Sequence, residues 1–281
     1  MHNVFFRAVP ATNMPPARCA GMKLRIHAAI DYALPQPTDL ILHIEAAHLP
    51  EQTVSDARLD LSVLDHFARV AAHDHIGERV LMRAQGQLKA DYHATVEIHR
   101  LLADVSALEA LPPHMLPGEA VQYLLDSHYC PGSQFISFVG ETFGDLQGGQ
   151  RIAAIRDYVS GHFHYLPGVS TPETTALQTF VRRQGVCRDF AHMVIALARA
   201  SCIPARFASV YAPNVTPQDF HAVAEVFLDG SWHLVDATGM ATEGEMAKIG
   251  IGRDAADVAF LTSFGPVIMN SQTVEVEVVE Q

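Results

Sequence analysis

Cysteine is scarce in this 281-residue chain, and the four cysteines, Cys19, Cys130, Cys187 and Cys202, form no CxxC pair and no regular spacing. This pattern argues against a disulfide-stapled scaffold or a structural zinc ribbon, and it favours reduced thiols in a cytoplasmic protein.

Basic residues are also few, since 19 Lys and Arg stand against 31 Asp and Glu. Binding to nucleic acid needs a basic face, so no nucleic-acid partner is expected. No run approaches the roughly 18 apolar residues that span a bilayer, so no membrane partner is expected either.

The N-terminal 21 residues show no periodic pattern, and they lack the apolar core and cleavage site of a secretory signal. We therefore predict that residues 1–21 are a disordered extension whose deletion leaves folding and activity intact.

Short runs of alternating apolar and polar residues begin at residue 22. Such runs, separated by polar turns, predict an all-β, sandwich-like domain over residues 22–115. A proline-containing stretch, SALEALPPHMLPGEA, marks the boundary with a second domain, residues 116–281. The alternating apolar positions of the first run are Leu24, Ile26, Ala28 and Ile30.

The second domain begins with helical patterns and ends with strands. Apolar residues recur at helical spacing over residues 148–160 and in the segment that starts at Cys187. Three strand candidates follow, RFASVYA, HAVAEVFL and SWHLVDA, and TVEVEVV alternates as a terminal strand. A helical layer followed by an antiparallel sheet is an α+β arrangement.

Cys187 lies at the predicted N-terminus of a helix, in the sequence QGVCRDFAHM. The helix dipole, the free backbone N–H groups and the adjacent Arg188 all favour a thiolate there. The same N–H groups can hydrogen-bond an oxyanion formed when the sulfur attacks an acyl carbon. A buried structural cysteine is the commoner role for a lone cysteine, so helix position alone does not establish a nucleophile.

The strands HAVAEVFL and SWHLVDA are joined by Asp229-Gly230, a strong signal for a two-residue hairpin turn. This turn pairs residue 228 with residue 231. His221 and Asp236 then become diagonal neighbours on one face of the sheet, within side-chain reach. A register shift of one residue would separate them, so the inference depends on the turn. A carboxylate that holds one imidazole nitrogen directs the other towards a thiol, although an ordinary polar contact is equally compatible with the pattern.

Three motifs together resemble the bacterial transglutaminase-like superfamily: GVCRDFAHM, DFHAVAEVFLDGSWHLVDAT and GIGRDAADVAF. The similarity is greatest to its cysteine-peptidase-like group with an N-terminal β-domain, and it extends from about residue 24 to the C-terminus. The resemblance implies a papain-like α+β core, with the cysteine on a helix N-terminus packed on an antiparallel sheet. It also implies that Cys187 is the nucleophile, that His221 is the general base and acid, and that Asp236 orients the histidine.

Two positions depart from the family pattern. Ala237 stands where proline usually follows the aspartate, and Val223 occupies the position of an aromatic residue; both are expected to alter the substrate groove. Animal transglutaminases use a tryptophan upstream of the cysteine as an oxyanion donor, whereas Trp232 here belongs to the His–Asp hairpin. Tyr165 is a candidate replacement donor, with a role in the core as the favoured alternative.

Other candidate residues carry weaker signals. Histidines at His73/His75 and His162/His164 have chelating spacings but no coherent further ligands, so no metal is expected. His192 lies about 140° around the helix from Cys187 and is a poor alternative base. Asp189 in the first turn is expected to be structural. The segment Arg253–Asp257 is expected to be a salt-bridged loop near the site.

The sequence therefore predicts a cysteine-nucleophile amide hydrolase, a peptidase or amidase, that works through a thioester and acts on a peptide or protein amide without a cofactor. A protein-glutamine transglutaminase or other amine acyltransferase is the first alternative, because the choice of acceptor depends on how the site excludes water. A non-catalytic binding module and a histidine-based metallohydrolase are further alternatives. The oligomeric state is not predicted.

Overall fold

The computed structural model describes residues 17, 18 and 21–279. The predicted disordered extension lies largely outside the described residues, and Ala17–Arg18 within it form a short strand that pairs with Leu101–Leu102. The described strands are β1 (Ala17–Arg18), β2 (Met22–Leu42), β3 (Gln52–Leu61), β4 (His66–Ala71), β5 (Glu78–Ile98), β6 (Leu101–Leu102), β7 (His164–Tyr165), β8 (Gln184–Gly185), β9 (Ala205–Tyr211), β10 (His221–Leu228), β11 (Ser231–Val235), β12 (Ala247–Gly252), β13 (Leu261–Ser263) and β14 (Ile268–Val278). The described α-helices are α1 (Gly118–Val121), α2 (Ile136–Phe143), α3 (Gly148–His162), α4 (Ala176–Arg182), α5 (Cys187–Ala200) and α6 (Ala255–Val258).

Two long antiparallel strands, β2 and β5, form the centre of the first sheet. Their pairing runs from Met22 opposite Ile98 to Leu42 opposite Val80. The register shifts between Leu34 and Thr38, where two prolines that cannot donate to the ladder interrupt β2. Alternate side chains of both strands are buried, as the period of two in the sequence predicts.

The outer strands of this sheet come from both ends of the chain. β3 and β4 pair with the two halves of β5, whereas β13 and β14 pair with the two halves of β2. The C-terminal strand predicted from TVEVEVV is therefore an edge strand of the N-terminal sheet. Sequence alternation identifies such a strand but not its partner, because pairing across more than 200 residues leaves no local signal.

The second sheet has the antiparallel order β11-β10-β9-β12, and α5 packs across one of its faces. The α5 side chains that face the sheet are fully buried, as are the β9 and β10 side chains that meet them. Helices α2, α3 and α4 surround α5 and complete this hydrophobic cluster. The N-terminus of α5 is thereby held at one end of the sheet.

Buried charges join the two sheets. The Glu225 carboxylate on β10 is fully buried between Arg206 at 2.6 Å and the Lys248 ammonium. Lys248 also contacts Glu51 at 2.6 Å, and Arg100 contacts Glu51 at 3.0 Å. Because Glu51 and Arg100 belong to the N-terminal half, this network ties that half to the second sheet.

The predicted fold class is confirmed: a papain-like α+β core with antiparallel sheets follows an all-β N-terminal region. The division at residues 22–115 and 116–281 stays a prediction. The two parts share a hydrophobic cluster, since Tyr211 and Ile249 of the second sheet pack with the buried face of the first.

Candidate active site

Cys187 is the first residue of α5, as the sequence predicts, and it is partly exposed. The turn before it is closed by Asp189, whose carboxylate accepts a hydrogen bond from the Val186 N–H at 2.8 Å and one from the Ser170 hydroxyl at 2.9 Å. Burial raises the pKa of Asp189, while these donors and Arg188 oppose the rise. A β-carbon on Gly185 would lie 2.6 Å from Cβ of Asp189, so only glycine fits beside it. Asp189 therefore closes the turn that precedes Cys187, which is consistent with the predicted structural role.

The hairpin between β10 and β11 has the predicted register. Leu228 pairs with Ser231, and the ladder continues to Ala224 opposite Val235. Asp229 and Gly230 both have positive φ, 47° and 74°, as a type I′ turn requires. This register brings His221 and Asp236 together: His221 Nε2 lies 3.0 Å from Asp236 Oδ2.

The Asp236 carboxylate is buried and makes several hydrogen bonds. Thr238 donates its backbone N–H at 2.8 Å and its hydroxyl at 2.7 Å, and the Ala241 N–H donates at 3.0 Å. Burial alone would raise the pKa of Asp236, but the bonds from His221 and Thr238 lower it overall. Asp236 is therefore an anion that accepts a hydrogen bond from Nε2–H of His221. Thr238 was not predicted from the sequence, although an aspartate side chain commonly accepts a hydrogen bond from the backbone N–H two residues on.

His221 is buried, and its second ring nitrogen, Nδ1, has no hydrogen-bond partner among the described residues. Burial alone would lower the pKa of His221. The hydrogen bond to Asp236 and the nearby Cys187 thiol outweigh burial and raise that pKa to about 9. The imidazole at neutral pH is therefore held as the cation, next to the thiol.

Cys187 and His221 line the same cleft, which has a volume of about 820 Å³. Arg188 and Asp219 contribute charge of opposite sign to its walls. The remaining surface is largely apolar, as the walls of ligand-binding clefts usually are. The large apolar lining residues are Phe207, Phe220, Val258, Phe260 and Leu261.

The segment from Arg253 onward forms one wall of this cleft. The predicted salt bridge is present, with Arg253 Nε 2.9 Å from Asp257 Oδ2. Asp254 caps α6 through the Ala256 N–H at 3.0 Å and also accepts from the Tyr129 N–H at 2.8 Å. The buried Asp254 therefore fixes two walls of the cleft relative to each other.

His192 supports the same wall from beneath. Its Nε2 accepts a hydrogen bond from the Ala255 N–H at 3.2 Å, and its ring stacks on Tyr129 with centroids 5.1 Å apart. Burial lowers the pKa of His192 well below its usual value, so the ring is a neutral acceptor. His192 is not a lining residue of the cleft, in agreement with its predicted orientation.

Tyr165 lies beside Cys187, because β7 pairs with β8 immediately before α5 and sets Tyr165 opposite Gly185. Burial and the neighbouring Cys187 raise the pKa of Tyr165 to about 12, so the hydroxyl keeps its proton. Its ring also packs on Phe190, with centroids 5.9 Å apart. Tyr165 therefore packs in the core and also lies beside the thiol.

The other positions singled out in the sequence lie away from the cleft. The Trp232 ring packs against the Arg206 guanidinium, whose Cζ lies 3.9 Å from the ring centroid. Val223 and Ala237 are buried in hydrophobic clusters and do not line the cleft, so neither shapes the groove by direct contact.

Neither histidine pair proposed from spacing forms a metal cluster among the described residues. His73 and His75 flank Asp74, whose carboxylate accepts from the Tyr123 hydroxyl at 2.6 Å. His162 bonds the Tyr158 carbonyl at 2.9 Å, and His164 is exposed in β7.

The arrangement can generate and use a sulfur nucleophile. A thiol at a helix N-terminus lines the same cleft as an imidazolium that a buried carboxylate orients, and a helix N-terminus offers backbone N–H groups to an oxyanion. Acyl transfer from an amide needs these elements and no metal ligand.

Comparisons with known proteins identify the family of this chain. The core of the transglutaminase-like superfamily matches residues 139–237. A crystal structure from Cytophaga hutchinsonii, of a protein provisionally designated a cysteine protease, superimposes with a TM-score of 0.89 at 30% identity, covering 94% of this chain and 93% of that one. The periplasmic domain of TgpA from Pseudomonas aeruginosa is 16% identical with a TM-score of 0.42, covering 82% of this chain and 94% of that one.

An uncharacterized protein from Mycobacterium leprae is 23% identical over 147 residues, 49% of this chain and 53% of that protein. The matched region thus spans about half the length of this curated relative. No helix among the described residues is long and apolar enough to cross a membrane.

Proposed function

Because the chain belongs to the transglutaminase-like superfamily, we propose that it is a cysteine-nucleophile amide hydrolase, a peptidase or amidase, with Cys187, His221 and Asp236 as its triad. The observation that carries the proposal is the buried 3.0 Å contact between His221 Nε2 and Asp236 Oδ2 at the edge of a cleft that Cys187 also lines. A cysteine with only a structural role does not require a nearby imidazole that a carboxylate orients and that keeps one nitrogen free.

The reaction proceeds by two displacements. The Cys187 thiolate attacks the amide carbonyl carbon, and the imidazolium of His221 gives its Nδ1 proton to the leaving nitrogen as the C–N bond breaks. Nδ1 of the neutral ring then takes a proton from water, whose oxygen attacks the thioester. The C–S bond breaks, and the acid product leaves. Asp236 stays ionised throughout and stabilises the imidazolium.

The negative oxygen of each tetrahedral intermediate needs donors. The backbone N–H of Cys187 at the start of α5 supplies one, favoured by the helix dipole. The Tyr165 hydroxyl supplies the second in this proposal. Its raised pKa keeps it protonated, and its contact with Cys187 puts it next to the reacting carbon.

Hydrolysis is favoured over amine transfer because Cys187 is partly exposed, so water reaches the thioester without passing through a closed tunnel. A peptide or protein is the proposed substrate. The size and apolar lining of the cleft support it, as does the provisional cysteine-protease designation of the relative at 30% identity.

A reducing, cytoplasmic setting is part of the proposal. It is supported by the three described cysteines, Cys130, Cys187 and Cys202, each of which is a free thiol.

An electrophilic peptide probe tests the nucleophile and the substrate class together. The wild-type chain is incubated with an acyl-reactive peptide library, and the labelled residue is identified by mass spectrometry. We expect labelling at Cys187, loss of both labelling and peptide hydrolysis in Cys187→Ser, and neither loss in Cys202→Ser, which removes an exposed thiol. An assay of the acyl product in the presence of a competing amine distinguishes the acceptors: free acid indicates hydrolysis, and an amine adduct indicates transfer. Equal labelling of Cys202 and Cys187 with unchanged turnover in Cys187→Ser contradicts the proposal.

A further inference from the structure

A group of three ionisable side chains lies on the solvent face of the first sheet, away from the cleft. His27 on β2 pairs directly with His93 on β5, and Asp91 lies two residues before His93 on the same face. One donor atom from each of these three side chains lies within 4.8 Å of the other two. The sequence pattern did not predict this group, because its members meet across strands. The histidine spacings noted in the sequence, His73/His75 and His162/His164, lie elsewhere.

The three donor atoms converge on one point, and the two histidine–aspartate contacts are ion pairs when the imidazoles are protonated. His27 Nε2 lies 3.2 Å from Asp91 Oδ1, and His93 Nε2 lies 2.7 Å from the same oxygen. Neither contact has hydrogen-bond geometry, and both His27 Nε2 and Asp91 Oδ1 are shielded from solvent without a hydrogen-bond partner. Ligands around one tetrahedral ion at about 2.0–2.1 Å are themselves roughly 3.3 Å apart, close to these separations.

The other nitrogen of His27 already has a partner. Its Nδ1 lies 3.4 Å from Oε2 of Glu275, which pairs directly with His27 from β14. A carboxylate that accepts from one imidazole nitrogen leaves the lone pair on the other, and this relay is typical of histidines that ligate metals. Glu275 therefore directs the His27 lone pair towards Asp91.

The surroundings tolerate a cation. Arg58 on β3 lies opposite His93, but its guanidinium is paired with Asp60 at 2.7 Å. The two imidazole rings stack 4.2 Å apart and only 4° from parallel, so one ring must tilt for both lone pairs to meet an ion. His93 has room to do so because half of its side chain is exposed.

We propose that His27, His93 and Asp91 bind one zinc ion, with water completing the coordination and Glu275 orienting His27. Two imidazoles and a carboxylate form a donor set suited to zinc and neighbouring divalent transition metals rather than to calcium or magnesium. The ion joins β2 to β5 across their central ladder. This site is separate from Cys187 and plays no part in acyl transfer.

Zinc titration calorimetry of the full chain, prepared without a histidine tag and stripped with EDTA, tests the proposal. The parent protein in this experiment is Cys187→Ser, and every variant also carries this substitution, since the thiolate and His221 together offer a competing zinc site. We expect one equivalent of zinc in the parent, at least tenfold weaker binding in His27→Ala and His93→Ala, and up to tenfold weaker binding in Glu275→Gln. His66→Ala, which removes an exposed histidine of β4, is the matched control and binds as the parent does.

Thermal melting gives a second readout and checks the fold of each variant. Metal-free melting temperatures of the variants should equal that of the parent, because the substituted side chains lie on the exposed face. Zinc at about 100 times its dissociation constant should raise the melting temperature of the parent by roughly 5 °C and leave His93→Ala unchanged. Absence of zinc binding overturns the proposal, and so does binding that both His27→Ala and His93→Ala leave intact.

Discussion

His221 and Asp236 lie fifteen positions apart in the chain, yet His221 Nε2 approaches Asp236 Oδ2 to 3.0 Å inside the protein. The contact is a consequence of the Asp229-Gly230 turn, which sets the register of β10 against β11. Because of this contact, the pKa of the imidazole depends on a residue at the end of the neighbouring strand.

Replacing Asp236 by Asn should lower kcat by roughly 10²- to 10⁴-fold and change its pH dependence. The hydrogen bonds and charges of Asp236 and Cys187 together raise the pKa of His221 to about 9 against the opposing effect of burial, so loss of the Asp236 contribution lowers it. The wild-type rate should fall on the alkaline side near pH 9, as the imidazolium loses its proton, and this limb should move to lower pH in Asp236→Asn. Peptide hydrolysis from pH 5 to pH 10 measures both effects.

Asp219→Asn is the matched control, because this exposed carboxylate lines the same cleft without bonding His221. It should leave the alkaline limb in place. An unshifted limb in Asp236→Asn would show that another group titrates there.

Replacing Tyr165 by Phe should reduce kcat by about 10- to 1,000-fold with little change in KM, because the hydroxyl acts on the tetrahedral intermediate and not on the bound substrate. The ring, and its packing on Phe190, are retained. Steady-state kinetics measure the split between kcat and KM.

Tyr158→Phe controls for loss of a tyrosine hydroxyl elsewhere, since that group accepts a hydrogen bond from Arg183. It should leave kcat unchanged. If kcat of Tyr165→Phe equals that of the wild type, then Tyr165 only packs in the core and does not bind the oxyanion.

Replacing Gly230 by Ala should lower the free energy of unfolding by about 1–2 kcal/mol, the cost of a left-handed backbone for a residue with a β-carbon. Gly230 has φ +74° and open space around its Cβ position, so the backbone alone determines the effect. Gly140 also has open space but lies inside α2, where alanine should stabilise by about 0.5–1 kcal/mol. Urea unfolding of the two variants should therefore give changes of opposite sign; changes of the same sign would contradict the assigned turn.

Replacing Glu225 by Gln should destabilise the protein by about 3–5 kcal/mol, because it leaves the buried Arg206 and Lys248 cations without their shared anion. Glu277→Gln removes the exposed partner of Arg25 and should leave stability unchanged within error. Chemical unfolding measures both. Similar behaviour of the two variants would mean that water or another anion compensates the buried charge.

Local chemistry explains which parts of the site could be predicted. The turn residues Asp229-Gly230 specify their own φ angles, and the period of two then determines which side chains share a face. Cys187 could likewise be assigned to a helix N-terminus because apolar spacing begins there. Both inferences use fewer than twenty consecutive residues.

Contacts between distant segments could not be predicted in this way. Nothing near Tyr165 in the sequence indicates that β7 lies beside β8, and GIGRDAADVAF indicates a salt-bridged loop near the site without indicating that it forms a wall of the cleft. His27 and His93 are 66 positions apart, and only the register of β2 against β5 brings them together. Tertiary pairing determines all three, and single-sequence periodicity carries no information about it.

The pairing of β14 with β2 also affects the order of events during synthesis. Val278 pairs with Leu24, so this edge of β2 has no partner until about 250 further residues have been synthesised. At typical translation rates the edge of β2 stays open for roughly half a minute. An open apolar strand edge is a template for aggregation, so the nascent chain is most vulnerable before β14 emerges.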